Sequence, residues 1–184
     1  MRRFQQPAKE PKPAKYFTAL LTSEPDLLGA VEGDLTTILG SIDARSEVLP
    51  WTVSKYYEKE MGSGLLRRFV SFDALAPPGK LADIKLATQR IEENYRRKAD
   101  TDRGRRVNLD PGYVESGKVV LASTKNASHR IYLRSGVYAE VTLQFYDGEF
   151  HPCPHTYPDY LWTQTLAFLT SLRSLYLDQL RRFG

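Results

Sequence analysis

The chain has a single cysteine, Cys153, among its 184 residues, so it can close no internal disulfide and offers no second thiol for a cysteine-only zinc site. A reducing cytoplasm is the expected setting. It also lacks any apolar run near the roughly 18 residues that would suggest a membrane span; Val119-Val120-Leu121-Ala122 is among the longest. A P-loop, a GxGxxG turn after a strand, HExxH and GxSxG are all missing, which removes the commonest phosphate-loop, dinucleotide, zinc-protease and serine-hydrolase readings. The start, MRRFQQPAKEPKPAKY, is basic but continues into Gln, Pro and Lys, so no signal peptide is expected.

Excess charge is scarce outside that start. The net charge is +4, and Arg2, Arg3, Lys9, Lys12 and Lys15 against Glu10 account for all of it. Residues 16–184 are formally neutral, so no global basic field draws the folded part to nucleic acid. With 41% hydrophobic residues, the chain can bury one sizeable core. The expected organisation is a flexible basic tail, 1–15, followed by one domain, 16–184.

Local patterns then specify elements. KYFTALLT (15–22) reads as a buried strand. Leu27, Val31, Leu35 and Ile38 recur at helical spacing after Ser23 and Pro25 and stop at Gly40. SEVLPWTVS (46–54), with Pro50 at an edge or bulge, and LRRFVSF (66–72) read as further strands. Leu81, Ile84, Thr88, Ile91 and Tyr95 mark a second helix. The charged segment 96–106 lacks an apolar period and reads as a loop. From 107 to 150 the alternation predicts an antiparallel meander, with turns at Pro111-Gly112, Asn126–Ser128, Ser135-Gly136 and Asp147-Gly148. Along 137–146 strict alternation would send Val137, Ala139, Val141, Leu143 and Phe145 one way and Tyr138, Glu140, Thr142, Gln144 and Tyr146 the other. A C-terminal helix follows, carrying Leu161, Thr165, Phe168, Leu172 and Leu175 on one face. The sum is an α+β fold: a mostly antiparallel, mixed sheet with about three helices largely on one face, its first half compatible with a ferredoxin-like unit. The other face would be open and polar.

Chemistry concentrates on the hairpins. Asn108 and Asp110 share one face of a strand, where both residue types are depleted. Lys125 and Arg130 supply a point charge and a bidentate fork suited to phosphate or carboxylate, and His129 is of the residue type that can move a proton near neutral pH. A mid-strand Glu140 needs a partner, which Arg130 or Lys125 could supply. Candidate catalytic residues are therefore His129, Asp110 and Glu140, and candidate ligand-binding residues are Asn108, Lys125, Arg130, Tyr57 and Tyr132. Glu58 and Glu60 with Asp110 could hold Mg²⁺ or Mn²⁺, which prefer oxygen ligands. Against this stands a plainer reading, in which turns and solvated loops account for the same residues. The spacing of His151, Cys153 and His155, stiffened by Pro152 and Pro154, matches no standard zinc site.

Taken together, YYEKEMG, RRVNLDPGYV, KVVLASTKNASHRIYL, GVYAEVTLQF and TYPDY resemble a bacterial and archaeal family, domain of unknown function 4416, marked by an NLDPGY signature, over most of residues 15–183. The resemblance implies no particular activity, cofactor or partner. From the residues themselves, the expectation is a small cytoplasmic enzyme or ligand-binding protein acting on a phosphate-bearing or nucleotide-like ligand, with no membrane association. The alternative is a binding module for RNA, single-stranded DNA or protein that uses Tyr132, Tyr138 and Tyr146 with a basic loop near Arg103, Arg105 and Arg106. The neutral core disfavours nucleic acid.

Overall fold

The computed structural model describes residues 8–97 and 104–183. The expected basic tail lies partly outside them, as does Arg103. Lys15, assigned above to the tail, lies instead in β1 (Ala14–Thr22), wholly buried, where its ammonium meets Asp43 at 2.6 Å and the carbonyl oxygen of Phe72 at 2.9 Å.

β1 leads to α1 (Leu27–Leu39), β2 (Ile42–Arg45), the two-residue β3 (Leu49–Pro50), the single turn α2 (Glu58–Met61) and the long β4 (Leu66–Ala76). The strand expected over 46–54 shrinks to β3, and β2 forms just ahead of it. α3 (Leu81–Asn94) and β5 (Val107–Val114) complete a first half in which the strands run β2-β4-β1-β5, all antiparallel neighbours. This is the order of a ferredoxin-like split βαβ arrangement. Strands joined by each helix are parallel with one strand between them, and one handedness of crossover puts both helices on one face. Tyr16, Leu20, Val70, Phe72 and Leu109 accordingly pack with Leu28, Val31 and Leu35 of α1 and Leu81, Ile84 and Ile91 of α3.

β6 (Lys118–Ser123) extends the sheet from β5, β8 (Val137–Tyr146) pairs with β6, and β7 (Ile131–Arg134) and β9 (Glu149–Pro152) both hairpin onto the outer side of β8. The two tight turns have positive φ at Ser135-Gly136 and Asp147-Gly148, the geometry that fits a hairpin's twist. After a 3₁₀ turn (Pro158–Leu161), α4 (Thr163–Phe183) returns across the sheet. Its Leu169 and Leu172 pack on Phe17, Ala19, Phe69 and Val114, the residues of β1, β4 and β5 that alternate with those beneath α1 and α3. The face expected to lie open is thus covered over its central strands by α4. That helix starts later than the sequence suggests, because Trp162 is extended (ψ 139°), and its buried stripe is Thr165, Leu169, Leu172 and Tyr176, with Leu161 and Leu175 exposed.

Two local departures from the expected strand pattern shape the sheet at β5 and β8. Pro111-Gly112 is not a turn: both residues sit inside β5, paired with Thr18 and Phe17. Pro111 has no N–H to give to a neighbour, and the β5–β6 ladder indeed stops at Gly112↔Leu121. Gly112 is required by close approach, since a Cβ there would lie 2.5 Å from the Val120 carbonyl oxygen and 2.9 Å from Phe17. The second departure is a bulge at Thr142, where Val119 pairs with Leu143 but Val120 pairs with Val141. It reverses the faces. Val137 and Ala139 belong to the α1/α3 core, whereas Leu143 and Phe145 belong to the α4 core.

Candidate functional site

Because β6 and β5 part beyond Gly112, the strands fork, and Asn108 and Asp110 on one arm look across a gap to Ala122 and Ser123 on the other. A cavity of about 400 Å³ fills the fork, a size typical of small-molecule sites. α3 closes one wall with Lys85, Gln89 and Glu92; the stretch 51–60 contributes Trp51, Tyr56, Tyr57 and Glu60; and the segment after β9 contributes Tyr157, Asp159 and Tyr160.

At the floor lies Arg67 of β4, 3% exposed. Its register places it in line with Leu21 and Asn108, so the long side chain reaches over β1 towards β5. One terminal nitrogen is 3.1 Å from Asp159 and the other 3.6 Å from Asp110. The guanidinium lies over the Trp51 ring, 4.8 Å from its centre. Among the described residues neither Nε nor Nη1 has a hydrogen-bond partner. Lys85 donates to the carbonyl oxygen of Leu109 at 2.6 Å and stands 3.5 Å from Asp110. Asn108 donates to Asp110 at 2.7 Å and accepts from Arg105 at 3.0 Å. Asp110 is therefore surrounded by cations, yet its direct hydrogen bond comes from Asn108.

The opposite wall is built on Glu140. The bulge leaves this residue on the cavity side of β8, 4% exposed, where its Oε2 accepts from Arg130 Nε at 2.6 Å and lies 3.0 Å from His129 Nε2. Arg130 also donates to the Lys125 carbonyl oxygen at 2.9 Å and to the Tyr157 hydroxyl at 2.7 Å. His129 stacks on His155, with ring centres 3.9 Å apart.

Five cations (Arg67, Lys85, Arg105, Lys125, Arg130) and five carboxylic acids (Glu60, Glu92, Asp110, Glu140, Asp159) line the cavity. Burial raises the pKa of Glu92 and of Asp159 towards their neutral forms, while Arg67, with Asp159 and Asp110 beside it, and Arg130, bonded to Glu140, are held charged. Burial likewise pushes the Tyr57 hydroxyl up to about 12, with the charge of Asp110 adding to the effect.

Of the residues singled out from sequence, Asn108, Asp110, Lys125, Arg130, Glu140, Tyr57 and Glu60 line this one cavity. His129 reaches it only through Glu140. Tyr132 is 58% exposed on β7 against Tyr138, and neither it nor Glu58 is part of the lining. Glu58, Glu60 and Asp110 are not gathered as a ligand set; among the described residues no group of three or more His, Cys, Asp or Glu is arranged to hold a metal ion, and Glu60 instead faces Arg105 at 3.5 Å. The tyrosine platform also divides: Tyr132 and Tyr138 share a face, but the bulge turns Tyr146 to the other, where it stacks on His151 at 3.7 Å. Sequence reasoning missed Arg67, Lys85, Glu92 and Asp159. Lys85 did carry a signal, since it falls between Ile84 and Thr88 on the helix's buried stripe.

No curated protein and no solved structure matches the chain significantly. A family model does match, over residues 12–176, a span that takes in both arms of the fork, the bulged strand and most of α4. The chain belongs to the family described as Domain of unknown function (DUF4416).

Proposed function

We propose that the protein binds a small phosphate-bearing or nucleotide-like ligand in the forked cavity. The observation that carries this reading is Arg67: a buried, permanently charged fork with two nitrogens that lack partners among the described residues, at the base of an open cavity. Such a group costs free energy in the unliganded protein and recovers it when an oxyanion arrives. Its ion-pair distance to Asp110 and Lys85's distance to the same carboxylate are 3.6 and 3.5 Å, beyond good hydrogen-bond length, so both cations keep capacity for an incoming anion. Arg105 and Lys125 add charge at the rim, and Trp51, Tyr57 and Tyr157 offer faces to a ring.

Within this reading Asp110 and Glu140 are the residues placed to act on a bound ligand, with His129 as a proton partner of Glu140. The lone thiol fits a cytoplasmic setting. No helix among the described residues is long and apolar enough to cross a membrane.

The test is a thermal-shift and calorimetric screen of the wild type against inorganic phosphate, sugar phosphates and nucleotides, since a ligand that binds only the folded state raises its melting temperature. Arg67→Lys keeps the charge beside Asp159 but loses the fork. It is expected to weaken phosphate-bearing ligands about 10-fold or more while the protein stays folded. Absence of any response from the wild type would overturn the reading. A second reading, attachment of a protein to the sheet edge, is favoured by β7, whose Ile131, Tyr132 and Leu133 are all exposed; pull-down that survives Arg67→Lys but not Leu133→Lys would support it.

A further inference from the structure

The cavity has a second pole. Glu140 is pinned through Oε2 by Arg130 and His129, while its Oε1 is buried with no partner among the described residues. A carboxylate fixed on one oxygen and unpartnered on the other is an acceptor of set direction, and it gains when a donor arrives. The direction is held firmly because Arg130 is itself tied to Lys125 and Tyr157. At the first pole Arg67 offers donors without acceptors; at the second Glu140 offers an acceptor without a donor. The guanidinium of Arg67 lies beside Asp110 on β5, and Glu140 is on β8, with β6 between. Two paired strand positions would span about 10 Å, and the fork between β5 and β6 adds to that.

We propose that the cavity selects an elongated ligand by both ends: an anionic group at Arg67 and Lys85, and an N–H donor at Oε1 of Glu140. In nucleotide terms, the phosphate goes to the β4/β5 end and an amino-bearing base to the β8 end. This rests on the anion-binding reading above and adds to it which ligands within that class are preferred. Tyr57 and Tyr157 line the same cavity and offer the ring faces that a base needs.

The experiment measures affinities of adenosine and cytidine 5′-monophosphates against the matching nucleotides whose base carries hydrogen in place of the amino group, with inorganic phosphate as the common reference. The wild type is expected to prefer at least one amino-bearing member by about 10-fold or more, as a hydrogen bond to a charged acceptor supplies. In Glu140→Gln, Arg130 and His129 still require an oxygen on their side, so the amide nitrogen turns to the cavity and the acceptor becomes a donor. The preference is then expected to vanish while inorganic phosphate still binds, which also reports that the variant is folded. If the wild type binds phosphate or nucleotides without distinguishing either pair, the two-ended proposal is overturned and the anion reading stands. A preference that persists in Glu140→Gln also overturns it. If no phosphate-bearing compound binds, both fall.

Discussion

Arg67 sits where a charge is costly, and its surroundings explain how the fold tolerates it: Asp159, itself 1% exposed, is 3.1 Å away, and the Trp51 ring lies beneath. Removing one partner of a buried pair strands the other charge. Arg67→Ala is therefore expected to lower unfolding free energy by about 3–5 kcal/mol, and Asp159→Asn in the same background to recover part of the loss. Denaturant titration of both single variants and the double variant checks the coupling, and strict additivity would contradict it. Gly112 makes the opposite kind of demand. A methyl group there meets backbone oxygen at 2.5 Å, so Gly112→Ala is expected to cost about 1–3 kcal/mol by overpacking, measured the same way. Both residues are visible in the sequence, but their roles are not. Pro-Gly reads as a turn because isolated turns favour it, and only the neighbours β1 and β6 reveal a strand in which one residue ends a ladder and the other makes room.

Elements with a plain period are legible: β1, α1, α3 and the two positive-φ hairpin turns follow from apolar spacing and turn chemistry that act locally. α4 and β8 are less so. The β8 bulge changes which residues count as facing the core, and nothing in VYAEVTLQFY announces an extra residue; it becomes evident only from pairing with β6. Its effect is on placement: it keeps Glu140 beside the cavity while Leu143 serves the α4 core. The sequence pattern puts α4 on the same side as its fellows, but the faces of β1 and β4 are apolar on both sides, Phe17 and Phe69 as well as Tyr16 and Val70, and a sheet buried on both faces needs a layer on each. Leu172, 1% exposed in that second layer, is expected to cost about 2–5 kcal/mol when replaced by Ala. A loss below about 1 kcal/mol in equilibrium unfolding would mean that α4 is not part of the cooperative core.

At the scale of the whole molecule, acid and base act on different parts. Glu24 is held down to about 2 by hydrogen bonds from Arg106 and Arg97, with burial opposing. Its folded pKa is depressed, so the stability it lends is full above the unfolded value near 4.5 and is lost as pH falls from there towards 2. Glu92 runs the other way: burial raises its pKa from 4.5, so it favours the folded state once protonated and weighs against it as pH climbs above that value. Glu92→Gln, which can still accept from the Leu109 N–H bonded at 2.6 Å, is expected to raise the melting temperature at about pH 8 and to have little effect at about pH 4. An equal shift at both values would refute the assignment.

The fork between β5 and β6 also has a mechanical meaning. Among the described residues three cross-strand pairs, Gly112↔Leu121, Tyr113↔Val120 and Val114↔Val119, join the ferredoxin-like half to the rest of the sheet, so this seam is where tension applied across the strands would begin to peel the molecule open. α4 bridges it, packing on Phe17 and Val114 on one side and on Leu143 and Phe150 on the other. A molecule seated in the cavity, gripped by β4 and β5 at one end and by β8 at the other, would add a rivet to those that α4 and, on the opposite face, α3 set across the same seam. The load at which the sheet yields would then report whether the cavity is filled.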